Sequence, residues 1–367
     1  MIKYSVIIPF HSNANLLSAC LSALKLTLNM DESEIIVVDN NDHESQIPDY
    51  ILSDPTFRII HRKENLLYPK AVNLGAEYAT GEYLLFCDAD TVVTPGFQLA
   101  LTDELTKSNI GYTSAKLINM QNNCLQEFGI TNSFYNFPHP FSGRERNFKL
   151  VMETRYPMAA CAACSSIKRT LFTDIGGFDN ELVHSYSDID LCLRLQDKGY
   201  ATACIPTAIA YHQGGSTIGS GMSSSLKEDT KGIFMSKHPN VPVQITSFLQ
   251  ESCEYFSQKY KVTKKEYFIF DCSTIANPGL YTGVVKEYLK INYDGCYRKP
   301  YLHRDAHHID FLNYIPHFIR SYRMPILYFV DRFTAFQGNV LWKYCRSDFD
   351  DIVVDRNANV ELLSNII

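Results

Sequence analysis

Nowhere in the 367 residues does an apolar run approach the roughly 20 side chains that a membrane-crossing helix requires. Met1-Ile2-Lys3-Tyr4-Ser5 leads directly into a strand pattern without the apolar centre of a signal peptide, so a cytoplasmic protein is expected. Surplus positive charge is missing as well. The 34 Lys and Arg are outnumbered by 40 Asp and Glu, for a formal net charge of −6. Without clustered cations to meet a phosphate backbone, nucleic acid is excluded as the main partner. No Gly-x-Gly-x-x-Gly follows the first strand pattern, so the dinucleotide fingerprint is absent. Cys161-Ala162-Ala163-Cys164 has no second pair to complete a zinc site. The eleven cysteines, an odd number scattered through apolar segments, read as buried thiols of a reducing compartment, not as a disulfide framework.

What is present is a globular composition, 46% apolar and 20% charged, on a chain long enough for one large domain and a smaller one. Tyr4-Ser5-Val6-Ile7-Ile8-Pro9-Phe10 is a buried strand ended by Pro9. The polar turn His11-Ser12-Asn13 then supplies an N-cap, and Leu17, Leu21, Leu24 and Leu28 recur at helical spacing. Glu34 to Asp42 is a second strand of β-branched residues ending on acids, and the β-α-β unit so formed requires parallel pairing with a right-handed crossover. Asp39 at its tip is placed to accept hydrogen bonds from a nucleoside. Phe57 to Ile60 is a third strand, and Pro69 starts a helix that carries Lys70 and Asn73 on one face.

Gly81-Glu82-Tyr83-Leu84-Leu85-Phe86-Cys87-Asp88-Ala89-Asp90 organises the rest. Its apolar core reads as a strand buried on both faces, which delivers two carboxylates to the edge where open α/β sheets bind ligands. Two hard oxygen donors there suit a divalent cation that carries a phosphate-bearing substrate; the competing reading is that one Asp caps the next turn. Strict alternation of strands and helices to this point indicates a doubly wound sheet. From Leu117 to Tyr156 the pattern loosens into a long aromatic and basic loop, where Arg144 and Arg146 either reach a phosphate or are solvated. Met158 to Ile167 returns as a strand of small residues. Beyond the turn Gly176-Gly177-Phe178-Asp179, the segment His184-Ser185-Tyr186-Ser187-Asp188-Ile189-Asp190-Leu191-Cys192-Leu193-Arg194 opens a helix with Leu191 and Leu195 buried and Lys198-Gly199 as its end. Asp188 and Asp190 cannot face the same way, because helical positions two apart diverge. Ala208 to Ser216 is a strand that runs out on His212, either a satisfied polar residue or, if other ligands converge, a metal ligand.

In this order, Ser5-Val6-Ile7-Ile8-Pro9-Phe10, Ile36-Val37-Val38-Asp39-Asn40, Asn73-Leu74-Gly75, Asp88-Ala89-Asp90, Gly176-Gly177-Phe178-Asp179, Asp188 to Arg194 and His212 resemble glycosyltransferase family 2 over about residues 1–240. The resemblance implies a GT-A type fold, α/β and mostly parallel, whose nucleotide-sugar half is about 1–115 and acceptor half about 116–240, followed by an accessory domain at 241–367. It places Pro9, Phe10, His11, Asp39, Lys70, Asn73, Asp88 and Ala89 along a UDP-, dTDP- or GDP-linked sugar. It assigns Asp90 and His212, with Asp88, to Mn²⁺ or Mg²⁺, and Asp188 to the catalytic base. Ser187 stands where the family usually has Glu, and Asp190 is then structural. The implied activity is inverting, metal-dependent and non-processive transfer of one sugar to a glycan or lipid-linked acceptor in surface polysaccharide synthesis, since membrane helices and a Gln-x-x-Arg-Trp motif are both missing. The rival from another class is a non-catalytic sugar-nucleotide or glycan-binding scaffold.

Past Pro242 the resemblance stops. Lys265 to Phe270 reads as a strand, Asn277-Pro278-Gly279 as a turn, Tyr281 to Lys290 as a helix and Asp351 to Asp355 as a strand. Gly279 and Gly283 fit no phosphate loop, and His303-Arg304-Asp305-Ala306-His307-His308-Ile309-Asp310 reads as a solvated loop in preference to a metal site. From 317 to 346 the chain is aromatic and basic, with Arg320, Arg323, Arg332, Lys343, Arg346 and Trp342. Two readings stay open for it: a peripheral membrane contact, or a packed subdomain or homo-oligomer contact.

Overall fold

The computed structural model describes residues 1–41, 45–183, 185–214, 224–262, 265–275, 277–298, 325–336, 346 and 349–367. The chain divides into two units, one of Met1–Thr131 with Ser142–Val241 and one of Asn132–Phe141 with Pro242–Ile367.

The first unit runs β1 (Tyr4–Phe10), α1 (Ala14–Thr27), β2 (Ser33–Asp39), α2 (Asp49–Leu52), β3 (Phe57–His61), α3 (Leu67–Glu77), β4 (Tyr83–Cys87), β5 (Thr91–Val93), α4 (Phe97–Glu104), β6 (Ile110–Asn119), β7 (Leu125–Glu127), β8 (Cys164–Lys168), α5 (Arg169–Asp174), α6 (Ser187–Asp197), β9 (Ala201–His212) and α7 (Ser224–Lys237). These strands make one nine-stranded sheet in the order β3-β2-β1-β4-β8-β6-β9-β5, with β7 paired to β6. The first four are parallel, with Phe10 opposite Asp39 and Ile7 opposite Phe86. Both faces of β1 are covered, which is why it reads as an unbroken apolar run. Val6, Ile8 and Phe10 pack with Leu17, Leu21 and Leu24 of α1. On the other face α3 lies so close that a Cβ on Gly75 would meet Ile7 Cγ2 at 2.5 Å and Val38 Cγ2 at 3.2 Å. Helices on both faces of an α/β sheet are the architecture expected from the alternation of patterns.

Three features differ from the sequence expectations. The strand expected over 158–167 is confined to β8, which runs antiparallel to β4 with Cys87 opposite Cys164. β6, fully buried over most of its length, was not anticipated, because Thr113, Ser114 and Lys116 break its apolar pattern although all three are buried. β9 begins at Ala201, seven residues before the expected start at Ala208. Pro206 disguised it: the register with β6 jumps from Ala115 opposite Ile205 to Lys116 opposite Ile209, so Pro206 sits in the bulge, where a missing N–H is tolerated.

The second unit holds α8 (Ile245–Tyr260), β10 (Glu266–Asp271), α9 (Pro278–Tyr288), β11 (Asn292–Arg298), β12 (Ile326–Val330), β13 (Ile352–Asp355) and β14 (Val360–Leu362). Its sheet has the order β11-β10-β12-β13-β14, parallel except at β14. Phe270, Ile326, Tyr328, Val330, Phe336, Val353 and Leu363 form its core. Pro278 stands in the first turn of α9 and Gly283 lies inside that helix, so neither Gly279 nor Gly283 belongs to a phosphate loop. The basic face expected over 317–346 loses Arg346, which is 1% exposed and gripped by Asp351 through Nε–Oδ2 at 2.7 Å and Nη2–Oδ1 at 2.6 Å. Within the same stretch Ile326–Val330 is a fully buried strand. Arg320, Arg323, Trp342 and Lys343, like the 303–310 cluster, lie outside the described residues. Among the described residues no helix is long and apolar enough to cross a membrane.

Candidate active site at the carboxyl ends of the strands

β4 is buried throughout and stops where Asp88 N–H donates to Ala163 O at 2.9 Å. A tight turn follows, with Thr91 N–H on Asp88 O at 3.0 Å, and the chain re-enters the sheet as β5. β5 is antiparallel to the end of β9, with Thr91 directly opposite His212. That register, together with Gln213 N–H donating to Asp90 O at 3.2 Å, joins two segments far apart in sequence. His212 Nε2 consequently lies 3.1 Å from Asp90 Oδ1 and 3.8 Å from Asp88 Oδ2. One ligand atom from each of Asp88, Asp90 and His212 falls within 4.8 Å of the others.

The electrostatics of the trio fit a cation. Asp88 is pushed up to about 6 by burial first, then by the like charges of Asp90 and Asp188, against the pull of His212. Burial works to lower His212, but its hydrogen bond to Asp90 and the charges of Asp90, Asp88 and Glu127 hold it above its ordinary value. Asp88 Oδ1 and His212 Nδ1 are buried without a hydrogen-bond partner. Crowded carboxylates, an imidazole and unpartnered polar atoms are what a divalent ion would relieve.

Asp188 approaches from α6. It occupies the first turn, is partly exposed, and accepts from Ile189 N–H at 2.9 Å. Burial nevertheless raises its carboxyl to about 6, outweighing the backbone donors that favour the charge. Asp190 faces the other way, 2% exposed, bonded to Arg194 Nε at 2.8 Å and His238 Nε2 at 2.8 Å. The divergence expected of positions two apart on a helix is therefore present.

The other expected contacts sort by what already occupies them. Pro9 and Phe10 pair with Val38 and Asp39, and His11 Nδ1 sits 3.1 Å from Asn40 O. Asp39 is fully buried; its Oδ2 meets His61 Nδ1 at 2.9 Å while Oδ1 has no hydrogen-bond partner. Ala89 is half-buried in the turn, and Lys70 is exposed on α3. Asn73, expected along the donor, already has protein partners. Its Nδ2 donates to Phe178 O at 2.8 Å and Asn180 Oδ1 at 3.0 Å, and its Oδ1 accepts from Phe178 N–H at 2.9 Å. Both ends of the amide are thus engaged in clamping the turn that precedes α6. Arg146, weighed as a phosphate ligand, donates to Tyr211 Oη at 2.7 Å.

Two residues of the site escaped the sequence reading. Tyr68 Oη is buried and unpartnered, within reach of the charges of Asp88 and Asp188. Glu127 on β7 is 2% exposed and feels Asp188 and His212. The available signal was a lone acid flanked by Leu125, Phe128 and Ile130, in a strand too short to show a period.

Residues 5–167 match the family model described as glycosyl transferase family 2. The O-antigen biosynthesis protein RfbC of Myxococcus xanthus is 26% identical over 226 residues, which cover 58% of this chain and 18% of that protein. The uncharacterized glycosyltransferase YwdF of Bacillus subtilis is 26% identical over 176 residues, 48% of this chain and 61% of the other. The chain thus spans between 18% and 61% of the length of these two relatives. Among solved structures, GalNAc-T7 with UDP, GalNAc and Mn²⁺ aligns over 57% of this chain and 44% of its own, at a TM-score of 0.49 and 17% identity. From the first strand of the sheet to the antiparallel neighbour of the Asp88 strand, residues 5–167 are similar to the glycosyl transferase family 2 model.

Proposed function

We propose that the chain is an inverting, metal-dependent, non-processive glycosyltransferase that moves one sugar from a nucleotide sugar to a hydroxyl of a glycan or lipid-linked acceptor in surface polysaccharide synthesis. The observation that carries this reading is the convergence of Asp88, Asp90 and His212 within 4.8 Å, with a separate carboxylate, Asp188, electrostatically coupled to Asp88. A single in-line displacement at the anomeric carbon needs a base on the acceptor side and neutralisation of the leaving diphosphate on the other. Asp188 takes the proton of the attacking hydroxyl as its oxygen bonds to that carbon and the bond to the diphosphate breaks. Asp88, Asp90 and His212 would hold Mn²⁺ or Mg²⁺, which supplies charge neutralisation for the diphosphate. Asp39, through its unpartnered Oδ1, accepts from the nucleotide base. Residues 1–115 bind the donor and 116–240 shape the acceptor side.

Thermal melting with UDP-, dTDP- and GDP-sugars, each with and without Mn²⁺, tests the reading. A donor at a hundred times its Kd stabilises the folded state by about 2.7 kcal/mol, so the right one raises Tm only when Mn²⁺ is present, and His212→Ala abolishes the Mn²⁺ dependence. A protein whose melting no nucleotide sugar moves in the presence of Mn²⁺ is not this enzyme.

A further inference from the structure

Glu127 has one oxygen fixed and one unused. Its Oε1 accepts from Gly129 N–H at 2.6 Å and Cys161 N–H at 3.4 Å. The first of these donors is aimed by a backbone that only glycine adopts easily: Gly129 has φ +116, and a Cβ there would strike Pro157 at 2.8 Å. With Oε1 held by two amides the plane of the carboxyl is set. Oε2 is buried and has no hydrogen-bond partner. Leaving a buried polar oxygen unpaired is expensive, so such a group calls for a partner, whether water, ion or ligand.

The position indicates which ligand. Glu127 pairs with Leu117 of β6, and β6 pairs with β9 up to Asn119 opposite His212, so β7 pairs with the same end of β6 that meets the end of β9 bearing His212. The charges of both Asp188 and His212 are felt at Glu127. It is nonetheless not one of the three residues whose ligand atoms cluster within 4.8 Å, which argues against a fourth metal ligand. We propose that Glu127 binds a hydroxyl of the acceptor sugar through Oε2, and so orients the acceptor beside Asp188. The proposal rests on the glycosyl-transfer reading above and adds to it the residue that selects the acceptor. Burial holds the Glu127 carboxyl up at about 8. With Oε1 taken by two amide donors, Oε2 is the oxygen left to hydrogen-bond the sugar hydroxyl.

The test uses the full chain with Mn²⁺, the nucleotide sugar it turns over, and the p-nitrophenyl β-glycosides of glucose, galactose and N-acetylglucosamine as acceptors. Glu127→Ala is expected to raise the acceptor KM about tenfold or more, the value of one lost hydrogen bond to a buried group, while moving the donor KM far less. Glu127→Gln, whose amide nitrogen donates from the place of Oε2, is expected to recover most of the loss. If Glu127→Ala does not fold, Glu127→Gln is compared with Glu127→Met, which fills a similar volume without a donor. An acceptor KM unchanged in the Ala or Met variant, or a Gln variant as impaired as either, overturns the proposal. Wild-type protein that hydrolyses the donor yet transfers to none of the three glycosides counts against it too. Absence of any donor turnover by the wild type instead removes the glycosyl-transfer reading itself.

Discussion

Asp188→Asn should make the protein more stable and nearly inactive at once. The substitution keeps the shape of the side chain and an oxygen to accept Ile189 N–H, now at 2.9 Å, but removes the charge. Holding a carboxyl at about 6 where the ordinary value is 3.8 disfavours the ionised form by at most about 3 kcal/mol, at roughly 1.36 kcal/mol for each tenfold in proton affinity. Asp188 is partly exposed, so solvent screening reduces this to about 1–2 kcal/mol. The folded-state value lies above the unfolded one. Folding therefore favours the protonated form, and the group's stabilising contribution, complete below about 4, is lost as pH rises to about 6 and stays lost at pH 7. The amide never ionises and avoids that loss. In a unit of this size, about 1–2 kcal/mol corresponds to a Tm increase of about 2–8 °C at pH 7, read by calorimetry with EDTA present, and the gain should vanish near pH 4. Transfer should meanwhile fall about 10²–10⁴-fold for loss of a general base, while wild-type activity declines as pH drops through about 6. An Asn variant that melts below the wild type at pH 7, or transfers within about tenfold of it, would refute the assignment.

Two further outcomes concern the scaffold. Arg346→Ala leaves Asp351 buried without its cation and should destabilise the second unit by about 3–5 kcal/mol in denaturant titrations, whereas replacing both partners with apolar residues of similar size should cost much less. Gly75→Ala drives a methyl to 2.5 Å from Ile7 Cγ2 and should lower stability by about 1–3 kcal/mol; a neutral result would mean that α3 can retreat from the sheet.

The parts of the molecule that were legible in its sequence are those where one physical pattern dominates a segment. β1, β2 and β4 are buried on both faces and so are continuously apolar, and α1 shows its buried leucines at helical spacing beneath an Asn13 cap. The three residues whose ligand atoms cluster were legible as candidates too, because Asp88 and Asp90 end an apolar strand and His212 ends another. What could not be read is what brings them together. β5 is three residues long, too short for any period, yet its pairing with β9 sets the distance from Asp90 to His212. β6 was hidden by buried hydroxyls that are bonded within the sheet, such as Thr113 Oγ1 on Ser166 O at 3.4 Å. The contacts of Asn73 were not legible, because an amide on a helix gives no hint that a turn a hundred residues on will bond to it. Glu127 was invisible for a related reason: its partners are backbone amides, which every sequence contains.

The pairing of Thr91 with His212 has a practical corollary. Two of the three clustered side chains, Asp90 and His212, hang on neighbouring rungs of a single ladder, so their spacing is governed by the pleat and is indifferent to how much polypeptide intervenes. Loops between β5 and β9 can lengthen, shorten or be exchanged without disturbing the cluster. A slip of one rung, by contrast, turns a side chain to the opposite face and abolishes the centre outright. Variation in this scaffold is therefore free in the loops and all-or-nothing at the clip.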